Sequence, residues 1–254
     1  MKYFIRSLRP SQWVKNLLVF AALVFAGKMF HIFSLINSTI LFVAFCLTSG
    51  SGYILNDIYD RNKDQNHPEK KNRPIASGKI SVTWAFVFAI ICIIISLALS
   101  YHINFFSFLV VAIYLLLMSG YTLIFKHIPV LDITIIAIGF VLRAVAGAFA
   151  IEVEISSWLL LCTFFLALFL IIGKRRYELI LMEDDAKKFR HTLGEYNIKL
   201  LDQLIAIVTA ICVVAYSIYT LDNTTVNKFN THNLIYTVPI VIIGIFRYLE
   251  QILL

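Results

Sequence analysis

The sequence predicts an all-α, polytopic membrane protein, on the strength of its composition and the length of its apolar runs. Of its 254 residues, 60% are hydrophobic and only 15% are charged. Soluble domains average about 45–50% apolar and about 25% charged residues. The apolar runs are long and continuous, unlike the short alternating segments of an outer-membrane barrel. The membrane spans are therefore predicted to be helices.

Eight such spans are predicted, each near the ~20 residues that a helix needs to cross a bilayer. They cover residues 14–34, 38–58, 82–101, 104–124, 131–151, 156–174, 199–220 and 233–252. No Gly/Ser linker or shift in composition divides the chain, so residues 1–254 are predicted to form one helical membrane domain. Two connections on the same side, residues 59–81 and 175–198, are long, and long loops are often functional.

The formal net charge of +7 could suggest a nucleic-acid partner, but the positions of the charges favour another explanation. Lys and Arg concentrate in the N-terminal segment and in alternate connections, whereas the opposite connections carry only Lys28 and Lys228. Cytoplasmic loops of membrane proteins are enriched in these residues. We therefore expect that the protein does not bind nucleic acid. We also expect a multi-pass protein of the inner (plasma) membrane, with its N-terminus and both long loops in the cytoplasm.

An acidic cluster, NDIYDRNKD, lies where the second span ends. If that span continues as a helix, Asn56, Asp57, Asp60 and Asp64 fall within an arc of about 100° at ~100° per residue. Crowded carboxylates repel one another unless a cation neutralises them. Mg²⁺ accepts such hard oxygen ligands and usually binds substrate phosphates as well. The cluster therefore predicts a magnesium site that binds a phosphate-containing substrate; the alternative is a solvated helix end.

Basic residues follow the acidic cluster in the segment HPEKKNRPIASGKIS. Pro68 and Pro74 interrupt helix there, so Lys70 and Arg73 are predicted to lie on a shaped loop. A guanidinium group binds phosphate through two parallel hydrogen bonds, which favours a phosphate contact for Arg73. Topology signals or contacts with lipid headgroups remain the alternative.

The fourth span and the helix after it carry further polar residues. Tyr121 and Lys126 lie at the cytoplasmic end of the fourth span, Asp132 opens the next helix, and Arg143 follows eleven residues later on the same face. An arginine within a membrane helix is costly unless it faces a polar cavity or a partner. Arg143 is therefore predicted to face a cavity entered by a charged substrate, or else to pair structurally with an acid.

A second charged cluster, GKRRYEL, follows the sixth span at the same membrane face. It carries Lys174, Arg175, Tyr177 and Glu178, and we predict that it contributes to phosphate recognition. An ordinary juxtamembrane basic motif is the alternative.

These motifs resemble those of the UbiA-type membrane prenyltransferase superfamily. NDIYDRNKD resembles its first aspartate-rich motif, N-D-x-x-D-x-x-x-D, and YTLIFK is similar to its tyrosine–lysine element on the fourth helix. Ordinary members carry a second aspartate-rich motif near the end of the sixth helix, where this chain has the basic GKRRYEL. Together with RPSQWVKN and LRAVAGAFA, that change is similar to one branch, the decaprenyl-phosphate phosphoribosyltransferases.

The resemblance implies a UbiA-like bundle, which usually has nine spans where this sequence predicts eight. Either a ninth helix is missing or the chain is a shortened member. It also implies Mg²⁺-dependent transfer of 5-phosphoribose from phosphoribosyl diphosphate to a polyprenyl phosphate. The lipid phosphate is already anionic, so no general base is expected.

The resemblance and the spacing together assign roles to particular residues. The expected metal ligands are Asn56, Asp57, Asp60 and Asp64, and the expected catalytic residues are Asp57, Asp60, Asp64, Tyr121 and Lys126. The expected substrate-binding residues are Lys15, Asn56, Lys70, Arg73, Arg143, Lys174, Arg175, Tyr177 and Glu178. Glu178 is either a second metal ligand or a partner of Arg175.

Two other functions remain open at this point. An ordinary UbiA-type prenyltransferase would attach a prenyl group to an aromatic or other acceptor, but the missing second acidic motif counts against it. A secondary transporter would usually have inverted repeats, and no matching halves are evident in the sequence. The oligomeric state is open, with a homo-oligomer as one possibility.

Overall fold

The computed structural model describes residues 2–68, 70–154, 156–182 and 195–253, and every regular element in those ranges is a helix. The α-helices are α1 Lys2–Ser7, α2 Ala21–Phe25, α3 Ile32–Tyr59, α4 Arg61–Gln65, α5 Val82–Ile103, α6 Phe105–Leu123, α7 Leu131–Ala150, α8 Ser157–Met182, α9 Ile198–Leu221, α10 Asn223–Phe229 and α11 Val238–Leu253. Four 3₁₀ helices cover Pro10–Phe20, Lys70–Asn72, Phe125–His127 and Asn233–Thr237.

Seven helical segments of the described chain are long and apolar enough to cross a membrane. They are Ile32–Tyr59, Val82–Ile103, Phe105–Leu123, Leu131–Ala150, Ser157–Ile180, Ile198–Leu221 and Asn233–Ile252. The predicted all-α, multi-pass fold class is confirmed, whereas the predicted count of eight spans is not.

The difference lies in the first predicted span, residues 14–34, which is not one continuous helix. The left-handed Gly27 (φ 67°) ends α2. Two backbone hydrogen bonds close that end, from Gly27 N to Val24 O and from Lys28 N to Leu23 O. This is the Schellman pattern, in which glycine adopts the left-handed conformation after a helix. Helix α3 then begins at Ile32, with the His31 side chain accepting a hydrogen bond from Ser34 N.

The first compact unit comprises Met1–Phe125 and Gly139–Ile155. In it α3 packs against α5, α6 and the 3₁₀ helix Pro10–Phe20. The core includes Phe45 and Tyr114, whose ring centroids are 5.3 Å apart in an edge-on arrangement. Gly147 of α7 lies so close to this 3₁₀ helix that an added Cβ would be 2.0 Å from the Val19 carbonyl oxygen. A small residue is therefore required there, as in other close helix contacts.

The long connection at residues 59–81 also belongs to the first unit, and apolar side chains anchor it. Ile75 and Ile80 are buried in a cluster with Leu8 and Ile54. The connection contains α4 and a short 3₁₀ helix. This anchoring fixes the segment that carries Arg73.

The second compact unit comprises Lys126–Ile138 and Ser156–Leu254, with α8 packed against α9 and α11. Helix α8 continues to Met182, eight residues beyond the predicted end of the sixth span. Arg176 helps to hold this extension: its Nε lies 2.6 Å from Asp202 Oδ1, and its Nη1 donates to the carbonyl oxygen of Ile252 at 2.7 Å.

The GKRRYEL residues therefore lie on a helix and not, as predicted, in a loop that starts at residue 175. Most of the predicted loop 175–198 that lies beyond α8, residues 183–194, falls outside the described residues. That residues 1–254 form one domain stays a prediction.

Candidate active site

The acidic cluster lies at the junction of α3 and α4. Helix α3 ends at Tyr59, and Asp60 leaves the helical conformation (φ −89°, ψ 8°) before α4 begins. Hydrogen bonds of 2.9 Å from Asp60 N to Asn56 O and from Asp64 N to Asp60 O nevertheless maintain the helical path. The predicted helix through residue 64 is thus correct apart from one interrupted position.

Two of the predicted acids converge on one arginine. Asp57 and Asp64 are 2% and 4% exposed. Arg73 Nη1 lies 3.0 Å from Asp57 Oδ1 and 2.7 Å from Asp64 Oδ2. One positively charged nitrogen therefore lies between two buried carboxylates and offsets their mutual repulsion. Asn56 and Asp60 are half-buried at the same junction.

The donor set at this junction fits Mg²⁺, although the predicted group of ligands is not assembled in this conformation. Within the described ranges, no three His, Cys, Asp or Glu side chains are arranged to hold a metal ion. Mg²⁺ usually takes only one or two protein carboxylates and completes its shell with substrate phosphates and water. Asp57 and Asp64, which both contact one cationic nitrogen, supply two such carboxylates.

Arg9, which is not among the predicted site residues, also contacts Asp57. Its Nη2 lies 2.5 Å from Asp57 Oδ1, and its guanidinium carbon lies 4.8 Å from the centroid of the Tyr53 ring. Its backbone is left-handed (φ 51°, ψ 67°), a conformation that is uncommon outside glycine. Arg9, Asp57, Asp64 and Arg73 thus bring two carboxylates and two guanidinium groups together, and the formal charges of these four side chains sum to zero.

Arg143 is buried, at 5% exposure, and is held by neutral groups of the first unit. Its Nε donates to Asn16 Oδ1 at 2.7 Å, its Nη1 to the Gly139 carbonyl at 2.7 Å, and its Nη2 to the Tyr114 hydroxyl at 2.8 Å. The Tyr114 ring lies 4.7 Å from the guanidinium carbon. These contacts indicate a structural role, and the predicted contact of Arg143 with substrate stays a prediction.

In the second unit, Arg175 is fixed by two acids. Its Nε lies 3.2 Å from Oδ2 of the fully buried Asp132, and its Nη1 donates to Glu178 Oε2 at 2.7 Å. Of the two roles considered for Glu178, the partner of Arg175 is the one found. Glu178 also lies 3.6 Å from Lys174 Nζ.

Tyr196, which is not among the predicted site residues, contacts the other carboxylate oxygen of Asp132. Its hydroxyl donates to Asp132 Oδ1 at 2.6 Å and accepts a hydrogen bond from Val130 N at 2.7 Å. Burial, followed by the hydrogen bond to Asp132, raises the pKa of the Tyr196 hydroxyl. The hydroxyl therefore stays protonated, and continues to donate, to a higher pH than that of an exposed tyrosine.

The family model of the UbiA prenyltransferase family matches residues 17–253. This chain belongs to the UbiA prenyltransferase family. The predicted superfamily is thereby confirmed.

Similar members of the UbiA family include two bacterial decaprenyl-phosphate phosphoribosyltransferases. The protein from Corynebacterium glutamicum is 38% identical over 222 residues, which cover 86% of this chain and 67% of that protein. The protein from Mycolicibacterium smegmatis is 35% identical over 231 residues, which cover 89% of this chain and 73% of that protein. The branch that the sequence motifs resembled is therefore the branch of these relatives.

A solved UbiA structure has the same fold. A UbiA homolog from Archaeoglobus fulgidus bound to DMAPP and Mg²⁺ superposes with a TM-score of 0.80 at 23% identity, covering 96% of this chain and 85% of that one. At this identity the likeness concerns the fold alone.

The remaining predicted site residues of this UbiA protein are distributed over both units. Lys15, Lys70 and Tyr121 are half-buried in the first unit. In the second unit, Lys126 is half-buried, and Lys174 and Tyr177 are exposed. The roles assigned to these six residues stay predictions.

Proposed function

We propose that this chain transfers 5-phosphoribose from phosphoribosyl diphosphate to a polyprenyl phosphate and releases diphosphate. The observation that carries the proposal is the buried carboxylate pair Asp57 and Asp64, bound by guanidinium groups, together with basic residues where the superfamily usually has its second acidic motif. The relatives named as decaprenyl-phosphate phosphoribosyltransferases support the same substrates.

The number of anions in the reaction explains this balance of charges. The donor carries a diphosphate on C1 and a separate 5-phosphate, and the lipid acceptor adds a phosphate monoester. One metal–carboxylate site serves the diphosphate, while the other anions require Lys and Arg side chains. A prenyl diphosphate donor, by contrast, brings one diphosphate that two acidic motifs can share.

In the proposed reaction, the bond between ribose C1 and the diphosphate oxygen breaks, and its electron pair leaves with diphosphate. An oxygen of the lipid phosphate forms the new bond to C1. Asp57 and Asp64, with Asn56 and Asp60 in support, would hold Mg²⁺, which when bound neutralises negative charge on the leaving group. Because the attacking phosphate oxygen is already anionic, the side chains need only bind and orient the two substrates.

We assign Arg175 to the recognition of a second anion, either the ribose 5-phosphate or the lipid phosphate. Its guanidinium is buried, donates a hydrogen bond from Nη1 to Glu178, and forms an ion pair with Asp132 at 3.2 Å that lacks hydrogen-bond geometry at Nε. Bidentate phosphate binding needs two adjacent N–H donors, so a bound phosphate would replace one of these two acids on the guanidinium. Lys174, one residue earlier and exposed, would add a mobile positive charge.

We infer that the N-terminus and the acidic cluster face the cytoplasm across the inner membrane. The distribution of Lys and Arg supports this orientation, and phosphoribosyl diphosphate is a water-soluble metabolite. Labelling of a cysteine introduced at Lys63, which lies on the exposed side of α4, by an impermeant maleimide would test it. Modification only after the cells are opened is expected, whereas modification of intact spheroplasts would reverse the assignment.

Transfer of a ribose label tests the activity. Purified protein receives Mg²⁺, a polyprenyl phosphate and phosphoribosyl diphosphate labelled in its ribose, and the lipid extract is counted alongside released diphosphate. Equal amounts of labelled lipid and diphosphate are expected, and chelation of Mg²⁺ should abolish both. Label transfer from a prenyl diphosphate to an aromatic acceptor, with none from ribose, would instead identify an ordinary prenyltransferase.

A further inference from the structure

We propose that Arg9 and Arg73 are exchangeable counter-ions that leave the carboxylates of Asp57 and Asp64 and bind diphosphate instead. As a consequence, Mg²⁺ and diphosphate bind more tightly in each other's presence than either binds alone. Arg9 thereby becomes a further substrate-binding residue. This inference rests on the proposed function insofar as that function requires a metal-bound diphosphate.

The contacts favour an exchange. Asp57 Oδ1 receives both arginines, from Arg9 Nη2 at 2.5 Å and from Arg73 Nη1 at 3.0 Å, and Asp64 Oδ2 receives Arg73 Nη1 at 2.7 Å. A metal ion bound to both acids would compete with Arg73 for the same two carboxylates, because both positive groups seek their negative charge. We expect Arg73 to withdraw when the metal binds, which makes its donors available to a phosphate.

Charge explains why the two ligands should bind together. The formal charges of the four side chains sum to zero, and the side chains of Asp57 and Asp64 are buried. Metal alone would leave two positive charges unbalanced among mostly buried groups, and diphosphate alone would add unbalanced negative charge. Uncompensated buried charge is strongly unfavourable. When both are bound, the charges of the metal and the diphosphate largely offset each other, and the net charge at these four side chains stays small.

The two arginines are better placed to move than the two acids, because they are more exposed. Their side chains are 26% and 25% exposed, so each has an edge that an incoming phosphate can reach. Arg9 also has a second contact, the face of the Tyr53 ring at 4.8 Å, which can hold the guanidinium after it leaves Asp57. Its left-handed backbone is the kind of outlier that tends to occur at functional sites.

Isothermal titration calorimetry of the full chain in detergent tests this inference with Mg²⁺ alone, inorganic diphosphate alone, and each in the presence of the other. Because Mg²⁺ and diphosphate also associate in solution, the same titrations without protein are used to calculate the free ligand concentrations. On that basis, we expect each ligand to raise the affinity of the unmodified protein for the other by a factor on the order of 5–150, the usual range of coupling between sites. Because linkage is reciprocal, both orders of addition must give the same factor.

The decisive variant is Arg73→Ala, which uncovers the two acids. It should bind Mg²⁺ alone several-fold more tightly than the unmodified protein, while its affinity for diphosphate and the coupling factor both fall. Arg9→Ala should change all three quantities in the same direction but by less, because Arg73 contacts both acids. A gain in metal affinity cannot result from general unfolding.

Arg6→Ala is the matched control, since Arg6 is an exposed arginine on α1, three residues before Arg9 in the sequence. It should leave the Mg²⁺ affinity, the diphosphate affinity and the coupling factor unchanged. Equal Mg²⁺ affinity with and without diphosphate, or an Arg73→Ala variant that binds Mg²⁺ no better, would overturn the exchange. The label-transfer assay is a separate readout: ribose transfer without coupling refutes this inference alone, whereas coupling with prenyl transfer refutes the proposed activity alone.

Discussion

Replacing Arg143 with methionine should destabilise the first unit while leaving the substrate affinity of the folded protein nearly unchanged. Methionine is also unbranched but ends about where the arginine Nε lies, so the substitution removes the guanidinium. The Asn16 oxygen, in a side chain that is fully buried, and the Tyr114 hydroxyl would then lose their donor. Each buried polar group left without its partner costs about 1–3 kcal/mol, and the variant no longer buries a charge. We expect a net loss of about 2–4 kcal/mol in the free energy of unfolding.

Unfolding by SDS in mixed micelles, followed by circular dichroism, measures this loss, and KM for phosphoribosyl diphosphate is measured below the transition. The double variant Asn16→Leu, Arg143→Met removes the orphaned amide together with its donor, so its loss should be smaller than the sum of the two single losses. Unchanged stability of Arg143→Met with a KM raised tenfold or more would refute the structural role and restore Arg143 as a substrate ligand.

The remaining predictions concern one close contact and one buried hydroxyl. Gly147→Ala should lower the free energy of unfolding by about 1–3 kcal/mol, because the new Cβ overpacks against the backbone. Gly52→Ala is the control and should not destabilise the protein, because its Cβ would meet no atom within 4 Å. Equal losses for the two variants would contradict the close contact at Gly147. Tyr196→Phe should cost about 1–3 kcal/mol near neutral pH, because the buried Asp132 loses a donor. Since the pKa of Tyr196 is raised by folding, its contribution is complete below the unfolded value of about 10 and is lost as the pH rises further. SDS unfolding across the alkaline range should therefore show a steeper decline for the unmodified protein than for Tyr196→Phe, and parallel declines would contradict the shift.

The fold class follows from the sequence because a long apolar run can satisfy its backbone in a bilayer only as a helix. The same reasoning fails at residues 14–34, where apolar character continues through a break in the helix. That break depends on the left-handed Gly27 and on the cap at His31, and hydropathy does not register either. The end of α8 was missed for the opposite reason: charged residues continue a helix once Arg176 has partners on α9 and α11.

In the candidate site, contacts between residues close in sequence could be predicted, whereas contacts between distant residues could not. Asp57 and Asp64 could be paired from the sequence because their spacing is set by one nearly continuous helix. Arg9, Asn16 and Tyr196 could not, since their partners lie 48, 127 and 64 residues away along the chain. The motif RPSQWVKN does contain Arg9 and Asn16, so a sequence signal existed, but it did not say what either residue contacts.

The central claim is that Asp57 and Asp64 together hold the metal that binds the departing diphosphate. A crystal of the chain grown with Mn²⁺ in place of Mg²⁺ and with phosphoribosyl diphosphate, without lipid acceptor, tests it through the anomalous signal of the metal. We expect one peak within ligand distance of both carboxylates and of the diphosphate, with Arg73 withdrawn from between them. A peak elsewhere, with the donor bound and Arg73 still bridging the two acids, would contradict the claim.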